Sequence, residues 1–127
     1  MPEPKNKLLD ALTRMIELTQ QNQLKWQLRS DIPNHRIVNP ISPVFYSFHD
    51  GKRLRLYQTA VGYSGRDILN AEIPDSDKRI VLEFIDPEGE ILWAFPDVAP
   101  LADLFSAVQY QVAGVSSFMD SILGDAG

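Results

Sequence analysis

The stretch from Ile80 to Phe95 does most to constrain how this chain can fold. Ile80-Val81-Leu82-Glu83-Phe84-Ile85 and Glu90-Ile91-Leu92-Trp93-Ala94-Phe95 are both rich in β-branched and aromatic residues, and Asp86-Pro87-Glu88-Gly89 separates them. Pro87 presets φ early in the turn, and Gly89 can take the positive φ that closes it. No other stretch is as apolar on both sides of a turn, so this hairpin is expected at the centre of a sheet. A four-residue loop places Ile80, Leu82, Phe84, Ile91, Trp93 and Phe95 on one face. A three-residue loop groups Ile80, Leu82, Phe84, Leu92 and Ala94 instead. Both give an apolar core face, and in both Glu83 lies opposite Phe84.

The flanking segments supply the rest of the architecture. Leu8, Leu12, Met15, Ile16 and Thr19 recur at helical spacing, which predicts a helix over 3–21 with Asn22 as a left-handed cap. Residues 24–29 alternate apolar and polar without a fault, which predicts a half-buried strand with Trp26 in the core. Residues 35–38 read as a short edge strand, because Pro40 and Pro43 restrict the adjoining segment to edge or loop geometry.

A second hairpin, 44–48 and 52–59, turns at His49-Asp50-Gly51. A three-residue turn with Gly51 left-handed pairs Phe48 with Lys52. It puts Val44, Tyr46, Leu54 and Leu56 on one face and Phe45, Ser47, Arg53, Arg55 and Tyr57 on the other. This separates apolar from polar better than a two-residue Asp50-Gly51 turn does, and it is the expected register. A long irregular connection, Thr59 to Arg79, leads to strands 79–85 and 90–95. Asp97 is the expected N-cap of one last helix over 98–123, with Pro100 in its first turn and Gly124 as its stop. Leu101, Leu104, Phe105, Val108, Val112, Val115, Met119 and Ile122 form its stripe. The expected fold is α+β and single-domain over 1–127: an N-terminal helix, a four- or five-stranded antiparallel sheet and a long C-terminal helix, stacked as a two-layer sandwich.

Composition narrows the function. The 127 residues are enough for a core without staples. The chain has no cysteine, which excludes disulfides, thiolate zinc sites and a Cys nucleophile and suits a reducing cytosol. No secretory h-region or membrane span is expected, so the expected location is cytoplasmic. Residues 1–66 hold ten Lys/Arg against five Asp/Glu, a net of +5; residues 67–127 hold two against twelve, a net of −10; together they make the overall −5. Either the halves attract within one fold, or a dipolar surface selects a partner or orients a dimer. The acidic balance argues against non-specific nucleic-acid binding.

Two surface features stand out. From Leu104 to Met119 the last helix carries no charged residue, although 23% of the chain is charged. Ser106, Ala107, Gln109, Tyr110, Gln111, Gly114 and Ser117 are the candidate interface there. The helix either packs closely on the first one or is covered by another subunit or a partner. The early hairpin offers Arg53, Arg55 and Tyr57 on one face, a pattern that suits a carboxylate, phosphate or acidic peptide, or a solvated sheet face with cross-strand pairs. Tyr63 and Arg66, in the Gly62–Asp67 loop, are candidate contacts for a small ligand. His35 and His49 have no partner at metal-binding spacing, and no motif points to a catalytic residue or a cofactor.

The opening Leu12-Thr13 through Leu18-Thr19, followed by Leu24-Lys25-Trp26, resembles small uncharacterised bacterial proteins that begin with a helix and a Leu-x-Trp strand. Leu101 to Leu123 resembles their closing amphipathic helix. The resemblance implies a similar α+β fold and a bacterial cytosol, and it carries no activity. The leading expectation is therefore a non-enzymatic interaction or adaptor module, homodimeric or bound to another protein through the last helix. The alternative is a small-ligand sensor or enzyme with a pocket near the Gly62–Asp67 loop. A third reading is an anion or nucleic-acid contact through Arg53 and Arg55.

Overall fold

The computed structural model describes residues 4–33, 37, 40–63 and 72–124. Helix α1 spans Pro4–Gln20. Five strands come next, β1 Trp26–Leu28, β2 Phe45–His49, β3 Lys52–Ala60, β4 Lys78–Ile85 and β5 Ile91–Ala94. Two helices close the chain, α2 Pro100–Val112 and α3 Val115–Ile122. The fold is α+β, and the sheet is an open antiparallel meander in which strand order follows chain order, β1 to β5.

The helices cover one face of the sheet. Leu12 of α1 and Leu101, Leu104, Phe105 and Val108 of α2 pack onto Trp26, Phe45, Leu54, Leu56 and Leu82. Phe45 meets Phe105 edge-on, with ring centroids 5.9 Å apart. Asn22 does cap α1, at φ 60°, and its N–H donates to the Thr19 carbonyl. The expected strand 35–38 falls largely outside the described residues; Pro40 makes an isolated bridge to Thr59.

The β2–β3 register differs from the expected one. His49 pairs with Lys52 and Phe48 with Arg53, so the turn has two residues, Asp50 and Gly51, both at positive φ. That geometry matches the right-handed twist of the flanking strands. Phe45, Ser47, Leu54 and Leu56 therefore face the helices, and Tyr46, Phe48, Arg53, Arg55 and Tyr57 share the other face. The apolar-versus-polar criterion fails because it counts Tyr46 as core and Arg55 as solvated. Both are buried, on the face away from the helices.

The β4–β5 hairpin lies at the edge of the sheet and not at its expected centre: β5 is an edge strand whose Ile91, Leu92 and Trp93 are about half exposed, because apolar content alone does not say which strands have neighbours on both sides. Within it Phe84 pairs with Trp93, and a bulge between Phe84 and Ile85 sets Ile85 opposite Ile91. Phe84, Trp93 and Phe95 form an aromatic cluster with centroids 4.8 to 5.9 Å apart. The grouping of Trp93 and Phe95 with Phe84 follows the four-residue-loop alternative, but Ile91 departs from it: it stands opposite Ile85 across a five-residue loop, and the bulge takes up Leu92. Asp86 Oδ1 accepts from the N–H groups of Glu88 and Glu90, both at 2.9 Å, and holds the turn. Gly89 has φ 82°.

The single last helix is in fact two. Gly114 sits at φ 67°, in the left-handed region, and breaks the helix after α2. A residue with a Cβ is disfavoured there by its own backbone alone, because an added Cβ would meet nothing within 4 Å. Nor is Asp97 the N-cap. The cap residue is Ala99, Pro100 opens the helix, and Asp97 lies 4.0 Å from Arg79. Leu123 and Gly124 end α3, with Gly124 at φ 67°.

Candidate functional site

The uncharged residues picked out on the last helix do come together. Ser106, Ala107, Tyr110, Gln111, Gly114 and Ser117 line a groove of about 730 Å³ whose other wall is Ile16, Thr19 and Gln20 of α1. Gln109 is exposed and is not part of the lining. The groove exists because α2 turns Leu101, Leu104, Phe105 and Val108 into the core, which leaves the small and polar side to face α1.

Gln111 has an internal role that sequence reasoning missed. Its Nε2 donates to the carbonyls of Thr19 and Leu24, both at 2.8 Å, and its Oε1 accepts the Trp26 N–H at 2.8 Å. One side chain thus ties α2 to the end of α1 and the start of β1. Trp26 Nε1 adds a bond to Thr19 Oγ1 at 3.1 Å. Gln111→Ala should lower stability by about 2–3 kcal/mol, since three hydrogen bonds are lost and their partners are part-buried. Urea denaturation checks this, and a loss under ~0.5 kcal/mol would show that water replaces the amide.

Beyond Gly114 no described residue is buried. None of the residues of α3 is buried. Phe118 is 65% exposed, Met119 50% and Ile122 70%, and Leu123, just past the helix, is 78% exposed. Val115, Phe118, Met119 and Ile122 have i, i+3, i+4, i+7 spacing and so form one stripe. Tyr110 of α2 is half exposed and lines the groove together with Ser116 and Ser117 of α3. Asp120 is the only charged residue of α3. A solvated helix normally carries its charge outward, and this one presents its apolar side chains instead.

The other candidates are placed differently. Tyr46, Arg55 and Glu83 stand side by side on β2, β3 and β4. Arg55 and Glu83 are 0% and 1% exposed, and Arg55 Nη2 lies 3.5 Å from Glu83 Oε2. Arg55 Nη1 also donates to the Gly89 carbonyl at 3.2 Å. Burial pushes the Tyr57 hydroxyl well above its ordinary range, with the Glu83 charge adding to the effect. Burial also raises Tyr46, against the pull of Arg55. Arg55 and Tyr57 are thus enclosed rather than solvated, because Glu83 supplies a counter-charge from the neighbouring strand. Arg53 stacks over the Phe48 ring at 5.7 Å. The Tyr63 hydroxyl donates to Asp77 Oδ2 at 2.9 Å, which raises its pKa. Arg66 lies outside the described residues.

Among the described residues no group of three His, Asp or Glu could hold a metal ion, and no helix is long and apolar enough to cross a membrane. The chain matches no protein-family model, no curated protein and no solved structure. The side chains of α2 and α3 are mostly apolar or neutral, with Asp103 and Asp120 the charged residues.

Proposed function

We propose that this chain is a non-enzymatic protein-interaction module that self-associates through its C-terminal helices, and that it works in the cytosol, which its cysteine-free composition suits. One observation carries this reading: α3 buries none of its residues while exposing a continuous apolar stripe. Covering a large apolar side chain fully is worth about 1.5–3 kcal/mol. Phe118, Met119, Ile122 and Leu123 are half to three-quarters exposed, so covering all four would yield about 4–8 kcal/mol. Association itself costs about 4–15 kcal/mol in lost freedom. One such contact is therefore marginal, while two copies of it related by a two-fold axis exceed most of that cost.

Light scattering across a concentration series tests the reading. The expected result is a dimer that Phe118→Glu and Ile122→Glu convert to a folded monomer, whose melting, unlike that of the dimer, no longer depends on protein concentration. Gly114→Arg and Ser117→Glu should weaken the dimer as well. A monomer at every concentration would refute self-association.

A further inference from the structure

The apolar stripe of α3 has a counterpart elsewhere on the molecule. A cleft of about 360 Å³ opens between α1 and the tip of the β2–β3 hairpin. Met15 and Leu18 form one wall, and Leu54, Phe84 and Phe95 form the floor. Its size lies in the ~300–1,000 Å³ range of clefts that enclose organic groups. Arg14, His49 and Lys52 stand among its lining residues, with Asp50 as the single acid.

We infer that this cleft receives α3 of a second copy of the chain, reciprocally across a two-fold axis; the inference rests on the self-association proposed above. Three observations select that occupant. The charges are complementary at one point: the cleft is lined by Lys52 and by Arg14, the latter already paired with Glu17 at 3.0 Å, whereas α3 carries Asp120 and no Lys or Arg. The shapes are complementary, because Phe118 and Ile122 lie one turn apart on one side of α3, the spacing with which a helix seats its side chains in a groove. The third is position. The cleft uses Ala11, Met15 and Leu18 of α1, whereas the groove beside α3 uses Ile16, Thr19 and Gln20, so the two lie on opposite flanks of α1. A chain's own α3 therefore borders the wrong flank, and the helix of a partner is the one that fits.

The cysteine-free background makes the test direct. Met15→Cys and Phe118→Cys are introduced together and the protein is oxidised. The expected product is a disulfide-linked dimer, with neither single variant cross-linking to comparable yield. Efficient cross-linking of Phe118→Cys alone would mean that α3 pairs with α3, and an internally closed monomer would mean that α3 folds onto its own cleft; either overturns the inference. Sedimentation supplies a second reading. Lys52→Glu and Asp120→Lys should each weaken the dimer about tenfold or more, since each change acts at two symmetry-related sites, and combining them should restore the affinity to within about threefold. A dimer that Phe118→Glu dissociates but Lys52→Glu leaves untouched would overturn the cleft while keeping self-association. A wild-type monomer would refute self-association itself.

Discussion

Glu83→Ala should cost about 3–5 kcal/mol of folding stability, because it leaves the Arg55 guanidinium buried without its counter-charge, its Nη1 still bonded to the Gly89 carbonyl. Arg55 Nε and Nη2 and Glu83 Oε1 already have no hydrogen-bond partner among the described residues. The pair is thus held by charge across β3 and β4 more than by directed bonds. For a domain whose total stability is about 5–15 kcal/mol, this loss corresponds to a drop in Tm on the order of 10–20 °C. The double replacement Arg55→Met with Glu83→Leu should recover more than half of it, since a well-packed apolar pair avoids the cost of taking two ions out of water. Urea denaturation of the three variants decides the matter. A Glu83→Ala protein within ~1 kcal/mol of wild type would mean that the guanidinium finds water or another acceptor.

The second large effect is expected at Gly89. A Cβ built there would overlap the Pro33 carbonyl oxygen, and φ is 82°. Gly89→Ala must therefore displace either the β4–β5 turn or the Pro33 segment, and with the turn goes the carbonyl that Arg55 uses. Left-handed strain of about 1–2 kcal/mol and a weakened bond to a charged group of about 1.5–3 kcal/mol together give a loss of about 3–5 kcal/mol. Gly51→Ala is the control. It shares the positive φ, at 76°, but its Cβ would meet nothing within 4 Å, so only the strain should remain. Equal losses in the two variants would locate the effect in the backbone angle and remove the contact from the explanation.

Much of the fold is legible in the residues, and the departures share a cause. The period change after Asn22 announces β1, and the two apolar runs around Asp86–Gly89 announce β4 and β5. Assigning strand faces by which residues avoid water misplaces an ion pair assembled from two strands. Arg55 looks exposed in the sequence because Glu83, its partner, is 28 positions away and belongs to another hairpin. Gly114 reads as a weak helix residue, although a left-handed break uses the same letter. For the candidate site, the lack of charge marks a stretch that lines a groove against α1 and, beyond Gly114, stands exposed. Gln111 shows the limit of that signal: an uncharged residue can be an internal clamp as well as part of a surface, and only the positions of Thr19, Leu24 and Trp26 tell them apart.

The order of the sheet has a consequence for the chain as it is made. Each strand pairs with the strand before it, so the meander can assemble as synthesis proceeds, yet the helix that covers it comes last. Leu101, Leu104, Phe105 and Val108 come after every strand they pack on. At ~5–20 residues per second, about 1–4 s separate the synthesis of Ala94 from that of Val112. During that interval the sheet's apolar face has only α1 to shield it. The nascent chain passes through a sticky stage that ends when α2 docks and Gln111 closes its bonds to Thr19, Leu24 and Trp26.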